Sequence, residues 1–441
     1  MIRVSEAVLP GHPDKLCDFV AESIVQAALA VDAEAYAQIE AAIWCDQLWL
    51  SGGYAARGAA LDVERIAVEA LDSIARAVNP DAKRDPWRVT NAVCRYDVDP
   101  TRWTRHVNDQ AIVIGWAGYD DKVQYLPPEH FLALEFRTAL WEACQGGELS
   151  RCGPDGKLIV RLREDDDGFA LEHVLLTLEH PEAMSVFELA QRVSAALGQH
   201  YAKLRALDKR WNAKWPEVEL MVNPNGPLSD AGSRKDNGQT GRKLVMDYYG
   251  PRVPIGGGAI YGKDPMHVDR FGARKAREMA VEAVKKGAGE CLVRAVYAPN
   301  VAEPLDVQID AIGEVGTPSR QMSFYAKPRH LEMVGGVISK HAARKIARGK
   351  LRGHEISRDR AHGPRSHFRC DRHPARPAGA AGSRSRGPVR GRDSSPQRTS
   401  ATKPEKVSGR FHLRGLGRRS PQLDVAICDI KLGRYSETTV C

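Results

Sequence analysis

Between residues 223 and 274 the chain reads NPNGPLSDAGSRKDNGQTGRKLVMDYYGPRVPIGGGAIYGKDPMHVDRFGAR. Turn-forming Asn-Pro and Asn-Gly lead into Thr240-Gly241-Arg242-Lys243, a triple glycine and Gly262-Lys263-Asp264-Pro265. Glycines let backbone N–H groups approach an anion closely, while Arg and Lys supply the countercharge. Triphosphate is the anion that so many donors suit. Gly257 to Lys263 satisfies G-x-x-x-x-G-K, but Asp264 stands where a P-loop needs Ser or Thr. The preceding PRVPI is broken by proline and is no strand, so a P-loop is excluded. A dinucleotide fingerprint is excluded as well, because no G-x-G-x-x-G follows a strand.

A second cluster, Gly11-His12-Pro13-Asp14-Lys15, sits at the mouth of the first expected helix. An Asp there complements the positive helix end and also serves as a capping residue. His12 taken alone is an ordinary surface imidazole.

The elements that must hold these clusters alternate between two periodicities. Residues 14–31 place Leu16, Phe19, Val20, Ile24 and Ala27/Ala28 on one face, which predicts an amphipathic helix. Residues 61–78 repeat the pattern until Asn79-Pro80; Ser185 and Glu188 form a capping-box signature for a third helix, and residues 268–286 predict a fourth. Strand-like runs fall at 89–96, 111–116, 158–163, 171–178, 217–222, 243–246, 292–297 and 305–309. Strands outnumber helices and hairpin-like neighbours recur, so the fold class expected is α+β.

The chain has 441 residues, too many for one compact core, and 43% of them are hydrophobic. Its net charge of +8 is unevenly spread. Residues 346–441 hold 18 Arg and 4 Lys against 8 Asp plus Glu, a surplus of +14, which leaves −6 for the remainder. Nucleic-acid binding therefore follows only if that Arg-, Pro-, Gly- and Ser-rich tail is genuine. Such a composition predicts disorder over about 350–420, and out-of-frame translation of a GC-rich gene yields the same bias. Nine Cys without a C-x-x-C pair fit neither a zinc ribbon nor a complete disulfide framework, and favour a reduced, cytoplasmic setting. Neither a signal peptide nor a membrane-spanning run is read.

Taken together, Gly-His-Pro-Asp-Lys, Gly153-Pro-Asp-Gly-Lys157, Asp236-x-Gly-x-Thr-Gly-Arg-Lys243 and the glycine-rich run through Asp269-Arg270 resemble the S-adenosylmethionine synthetase (methionine adenosyltransferase) family. Val301-Ala-Glu-Pro304 matches too, and the likeness runs from about Val4 to Lys345. It implies three similar α/β subdomains with flat mixed sheets, the third incomplete: 1–120, 121–240 and 241–345, then the basic tail, 346–441. It also implies a homodimer or dimer of dimers with active sites between subunits, and no membrane. The implied reaction joins ATP and L-methionine and expels triphosphate, which is then hydrolysed to phosphate and diphosphate. A thioether has no proton to remove, so such a site needs cations and metal rather than a general base.

By motif match, His12 faces the ribose–triphosphate junction, and Lys157, Arg242, Lys243 and Lys263 grip the triphosphate. Asp14 and Asp269 hold Mg2+, and Glu40 belongs to a K+ site. Asp155, Gly156 and Ala259 line the nucleotide pocket; Asp236 contacts adenosine or methionine; Asp109 and Lys263 reach the methionine. Several positions depart from the family. Tyr54 replaces a Glu that binds the methionine amino group, and Pro227-Leu228 replace Arg-Phe over the adenine. His267 replaces a Lys, the lid around 97–106 lacks a recognisable Gln, and two C-terminal motifs, Arg-Pro-x-Gly and Tyr-Gly-His-Phe-Gly-Arg, are missing. Those departures leave two alternatives: a catalytically impaired ATP- or polyphosphate-binding homologue, or an enzyme using a methionine analogue.

Overall fold

The computed structural model describes residues 1–81 and 86–313. The end of the third expected segment, the basic tail and the stray strand-like run LDVAICDIKL lie outside the described residues. In chain order the elements are β1 (Ile2–Val8), α1 (Pro13–Val31), β2 (Tyr36–Trp44), β3 (Gln47–Ala55), α2 (Val63–Val78), β4 (Arg88–Arg95), α3 (Thr101–Thr104) and β5 (Ala111–Gly118). They continue with α4 (Pro128–Gly146), β6 (Gly156–Asp165), β7 (Gly168–Leu178), α5 (Val186–Leu207), β8 (Glu219–Val222), β9 (Gly238–Gln239), α6 (Leu244–Asp247), α7 (Val268–Lys285), β10 (Glu290–Tyr297) and β11 (Asp306–Ile312). Among the described residues, no helix is long and apolar enough to cross a membrane.

Among the described residues these strands form three mixed or antiparallel sheets, ordered β1-β6-β7-β8, β4-β3-β2-β9 and β11-β10-β5. Each has helices against one face: α4 lies on β1 and β6, α1 on β2, and α7 on β5 and β10. Each sheet also draws strands from two of the three expected segments. β1 pairs with β6, placing Ile2 opposite Arg163, and β5 pairs with β10.

Alternation decides which face is covered. Ala37, Ile39, Ala41 and Ile43 of β2 are buried beneath α1, whereas Gln38, Glu40, Ala42 and Trp44 face outward. The uncovered faces are partly apolar: Trp44 on β2 and Trp49 on β3 are 44% and 42% exposed.

The four predicted helices are present at the expected places, and Ser185 caps α5 by accepting from the Glu188 amide. The strand expected at 243–246 is not there. That segment is α6, because Gly241 at φ +75° turns the chain and the Met246 and Asp247 amides both donate to the Lys243 carbonyl. β1, β2, β3 and α4 were missed by periodicity. Residues 34–42 are Ala-rich, which masks the alternation of β2, and α4 is buried on most sides, which blurs its stripe.

Gly115 shows how tightly α7 is seated. A Cβ there would lie 2.0 Å from the Ala276 carbonyl carbon, so the strand and helix backbones touch. Gly115→Val should therefore lower stability by about 2 kcal/mol or more through overpacking, read as a lower urea midpoint. An unchanged midpoint would contradict the seating of α7 on β5.

Candidate active site

One edge of β2 gathers both glycine-rich segments. β9 pairs with Ala42 and Ile43, and Thr240 exchanges hydrogen bonds with the Ala41 backbone. Four residues back, Lys263 bridges Gln38; Ile39 donates to the Gly262 carbonyl at 2.7 Å, and Asp264 donates to the Ala37 carbonyl at 2.9 Å. At about 3.3 Å per residue, the two attachments stand roughly 13 Å apart along the strand, with Glu40 between them.

The first attachment holds residues of α1. His12 caps the helix: its Nδ1 accepts the Asp14 amide at 3.2 Å. Asp14 is buried, accepts from the Gln239 amide at 2.9 Å through Oδ1, and pairs with the Lys243 ammonium through Oδ2. Arg242 stands 3.6 Å away, 47% exposed, and also bonds Asn237. One turn on, Asp18 accepts from the Gly241 amide at 2.9 Å. Gly238 permits this closeness, since a Cβ there would come within 2.2 Å of the Pro13 carbonyl.

The second attachment repeats the arrangement at the start of α7. His267 caps that helix, its Nδ1 accepting the Asp269 amide at 3.2 Å. Asp269 is buried, accepts from the Gly258 amide at 2.7 Å through Oδ1, and pairs with Lys263 through Oδ2. Asp109, 55% exposed, lies 3.6 Å from His267 Nε2. Thus His-x-Asp stands twice at a helix mouth, each Asp shared between one lysine and one loop amide. The repeated spacing, His12-Pro-Asp14 and His267-Val-Asp269, was in the sequence and was not read as a repeat.

Burial sets the protonation of these groups. The pKa of His12 falls to about 4, first through burial and then through the neighbouring Lys243 charge, against the pull of Asp14 and Asp236. His267 also falls to about 4, through burial and Lys263. Both imidazoles are neutral at pH 7, and because Nδ1 accepts in each, Nε2 carries the proton. Asp155 is pushed up to about 6, mainly by burial, although it accepts the Gly232 amide at 2.9 Å. Burial also raises Glu40, with Lys263 pulling the other way. Behind the first cluster, burial would lower Lys15, but Asp18 and Asp247, each 2.8 Å away, hold its ammonium well above the usual range.

His12, Asp14, Asp236, Arg242 and Lys243 therefore come together, whereas Asp109, Lys263 and Asp269 form the second group. Ala259 joins them at Gly241, where an added Cβ would lie 2.8 Å from the Ala259 Cβ. Gly156 opens β6, its carbonyl accepting the Leu9 amide at 2.8 Å. Lys157 is turned to Glu6 at 2.8 Å and reaches the first cluster only as a charge acting on His12. Among the described residues, no group of three or more His, Cys, Asp or Glu gathers as a metal cage.

Two family models match this chain: the S-adenosylmethionine synthetase N-terminal domain over residues 1–91 and the C-terminal domain over 231–345. These spans carry both His-capped helix mouths. An S-adenosylmethionine synthase from Rhodospirillum centenum is 33% identical over 325 residues, covering 71% of this chain and 81% of that protein. The chain belongs to the S-adenosylmethionine synthetase family. Its fold agrees with a solved structure described as an unusual S-adenosylmethionine synthetase from Campylobacter jejuni. The TM-score is 0.60 at 24% identity, over 70% of this chain and 81% of that one.

Within the family frame, Tyr54 is a core residue here. It is 3% exposed, and its hydroxyl accepts the Leu61 amide at 3.0 Å. A Glu placed at that position would be buried with one backbone donor for company, so Tyr54 is no handle on an amino-acid ligand in this chain.

The neutral, Nε2-protonated state of His12 can be read by NMR of ring-labelled protein. Its signals should stay at the neutral position from pH 8 down to pH 5 and move with a midpoint near 4. A midpoint near 6.5, the ordinary value, would refute the burial argument.

Proposed function

We propose that this chain makes S-adenosylmethionine from ATP and L-methionine, with the triphosphate released as phosphate and diphosphate. The observation that carries the reading is the pair of His-capped helix mouths on one strand edge, each with one lysine and one backbone amide, that of Gln239 or Gly258, turned to the same carboxylate. Cations and backbone donors of this kind suit a polyanionic leaving group.

In the reaction, the thioether sulfur forms a bond to C5′ of the ribose while the C5′–O bond breaks. Its electron pair leaves on the triphosphate oxygen, and no proton needs to be removed from sulfur. A neutral His12 presents Nε2–H as a donor to that oxygen without adding a second cation beside Lys243. Arg242 and Lys243 then offset charge on the departing chain, with Arg242 suited to bidentate contact. Lys263 and Asp109 serve the second half of the site.

Asp14 and Asp269 fit magnesium as single carboxylates. That ion keeps several waters and is held by one or two carboxylates together with substrate phosphates. Bound there, it would withdraw charge from phosphate oxygens. Glu40 offers one anionic oxygen to potassium, beside Lys263. Incubating the full chain with ATP, methionine, Mg2+ and K+ should yield the sulfonium nucleoside with phosphate and diphosphate, and Arg242→Ala should lower kcat about 100-fold. A folded parent that binds ATP and forms no sulfonium product would reject the activity.

That outcome would select the second reading, an ATP- or polyphosphate-binding homologue without transferase activity. Leu228 in place of an aromatic ring and the burial of Tyr54 favour it, and they equally leave room for a methionine analogue.

The open sheet faces support a homodimer, in which the Asp14 cluster of one subunit faces the Asp269 cluster of its copy. The parent should sediment as a dimer or larger, whereas Trp49→Glu should sediment as a monomer with turnover reduced tenfold or more. A monomeric variant with parental turnover would remove the intersubunit site.

A further inference from the structure

Asp14, Asp18 and Glu22 stand four residues apart on one face of α1 and are 1%, 1% and 2% exposed. Each accepts one main-chain amide from a glycine-rich segment: that of Gln239 at 2.9 Å, of Gly241 at 2.9 Å and of Gly262 at 3.2 Å. Each also pairs with a cation, Lys243, Lys15 and Arg270 in turn. Asp14 to Glu22 is a helical rise of about 12 Å, close to the roughly 13 Å between the two attachments on β2. Helix and strand therefore hold both segments at one spacing, the helix through side chains and the strand through main chain.

The reaction makes no use of Glu22, yet its carboxylate is heavily engaged. Besides the Gly262 amide it accepts from the Gln26 side chain at 2.7 Å and from Arg270 Nη1, 3.0 Å from both of its oxygens. The same Arg270 nitrogen donates to the Lys263 carbonyl at 2.7 Å. Glu22 thus holds the residue before Lys263 and the residue after Asp269. Gly262 has no room to shift: at φ +76°, a Cβ there would lie 2.3 Å from the Ile39 carbonyl oxygen and 2.9 Å from the Ala21 Cβ. Lys263 itself pairs with Asp269 through Nζ, so the influence of Glu22 on it passes through the main chain. We propose that Glu22 is a positioning residue: from the third turn of α1 it sets where Lys263 and Asp269 stand relative to the first cluster. The role rests on the reading of Lys263 as a phosphate-facing cation.

Calorimetric titration of the full chain with magnesium tripolyphosphate tests this in a double-mutant cycle. Glu22→Gln keeps the length of the side chain and removes the charge that holds Arg270, while Lys263→Met keeps the stem and removes the ammonium. Glu22→Gln alone should lower affinity about tenfold. In a Lys263→Met background it should change affinity less than twofold, because the group it places is gone. In an Arg242→Ala background the tenfold loss should persist, since Arg242 belongs to the other attachment. Equal losses in all three backgrounds would make Glu22 a structural residue only and overturn the proposal. Parental affinity in Glu22→Gln or in Lys263→Met would overturn it too. Should Glu22→Gln fail to fold, Arg270→Lys, which keeps a cation opposite Glu22, takes its place: its loss should also vanish with Lys263→Met, and a loss that persists there overturns the proposal. The readout needs no turnover. A Lys263-dependent loss in a chain that forms no sulfonium product sustains the role of Glu22 and rejects only the transferase, whereas additive losses in a chain that forms it reject only the role of Glu22.

Discussion

The edge of β2 fixes the rest of the site, because the backbone itself makes the attachment there. Ladder bonds from Ala41–Ile43 take the 238–240 segment and bonds from Ala37–Ile39 take 262–264, so cations remote in sequence are placed by main-chain register. A one-residue slip would turn Glu40 inward and send Ile39 to the open face, at the cost of the contacts with α1. Register and core packing thus guard the same arrangement. Gly238 and Gly262 mark the two crossings where any side chain would strike a neighbouring backbone.

Neutral imidazoles next to lysines follow from the same geometry. Each His is packed at a helix mouth with Nδ1 occupied by the amide two residues on. Burial and a nearby ammonium both disfavour a second proton. Each Asp offsets its lysine, so neither mouth accumulates uncompensated positive charge before an anion arrives. Under the proposed function an incoming phosphate chain would have to compete with those carboxylates for Lys243 and Lys263, and Asp14 and Asp269 would be the residues to hold a divalent ion.

Much of this was legible in the sequence wherever a local signal was strong. The helices at 13–31, 63–78, 186–207 and 268–285 follow from periodicity and caps, and the glycine-rich run and His12-Pro-Asp14, singled out in the sequence, are segments that the fold brings to the β2 edge. What escaped depends on long-range pairing. β2 is a strand because β3, β9 and residues 262–264 bracket it, although its alanines suit a helix as well. Residues 243–246 look extended until Gly241 and the Lys15–Asp247 pair bend them into a turn of helix. Lys157 carries the right motif, yet its nearest partner in this chain is Glu6.

The pairing of β1 with β6 has a bearing on how the molecule is made. The strand that receives residues 2–8, at 156–165, is translated about 150 residues after them. At ~5–20 residues per second, β1 would wait roughly 8–30 s for its partner. During that interval Ile2, Val4 and the half-formed edge are open to any extended chain nearby. Chaperone engagement early in synthesis would shield this segment until β6 arrives.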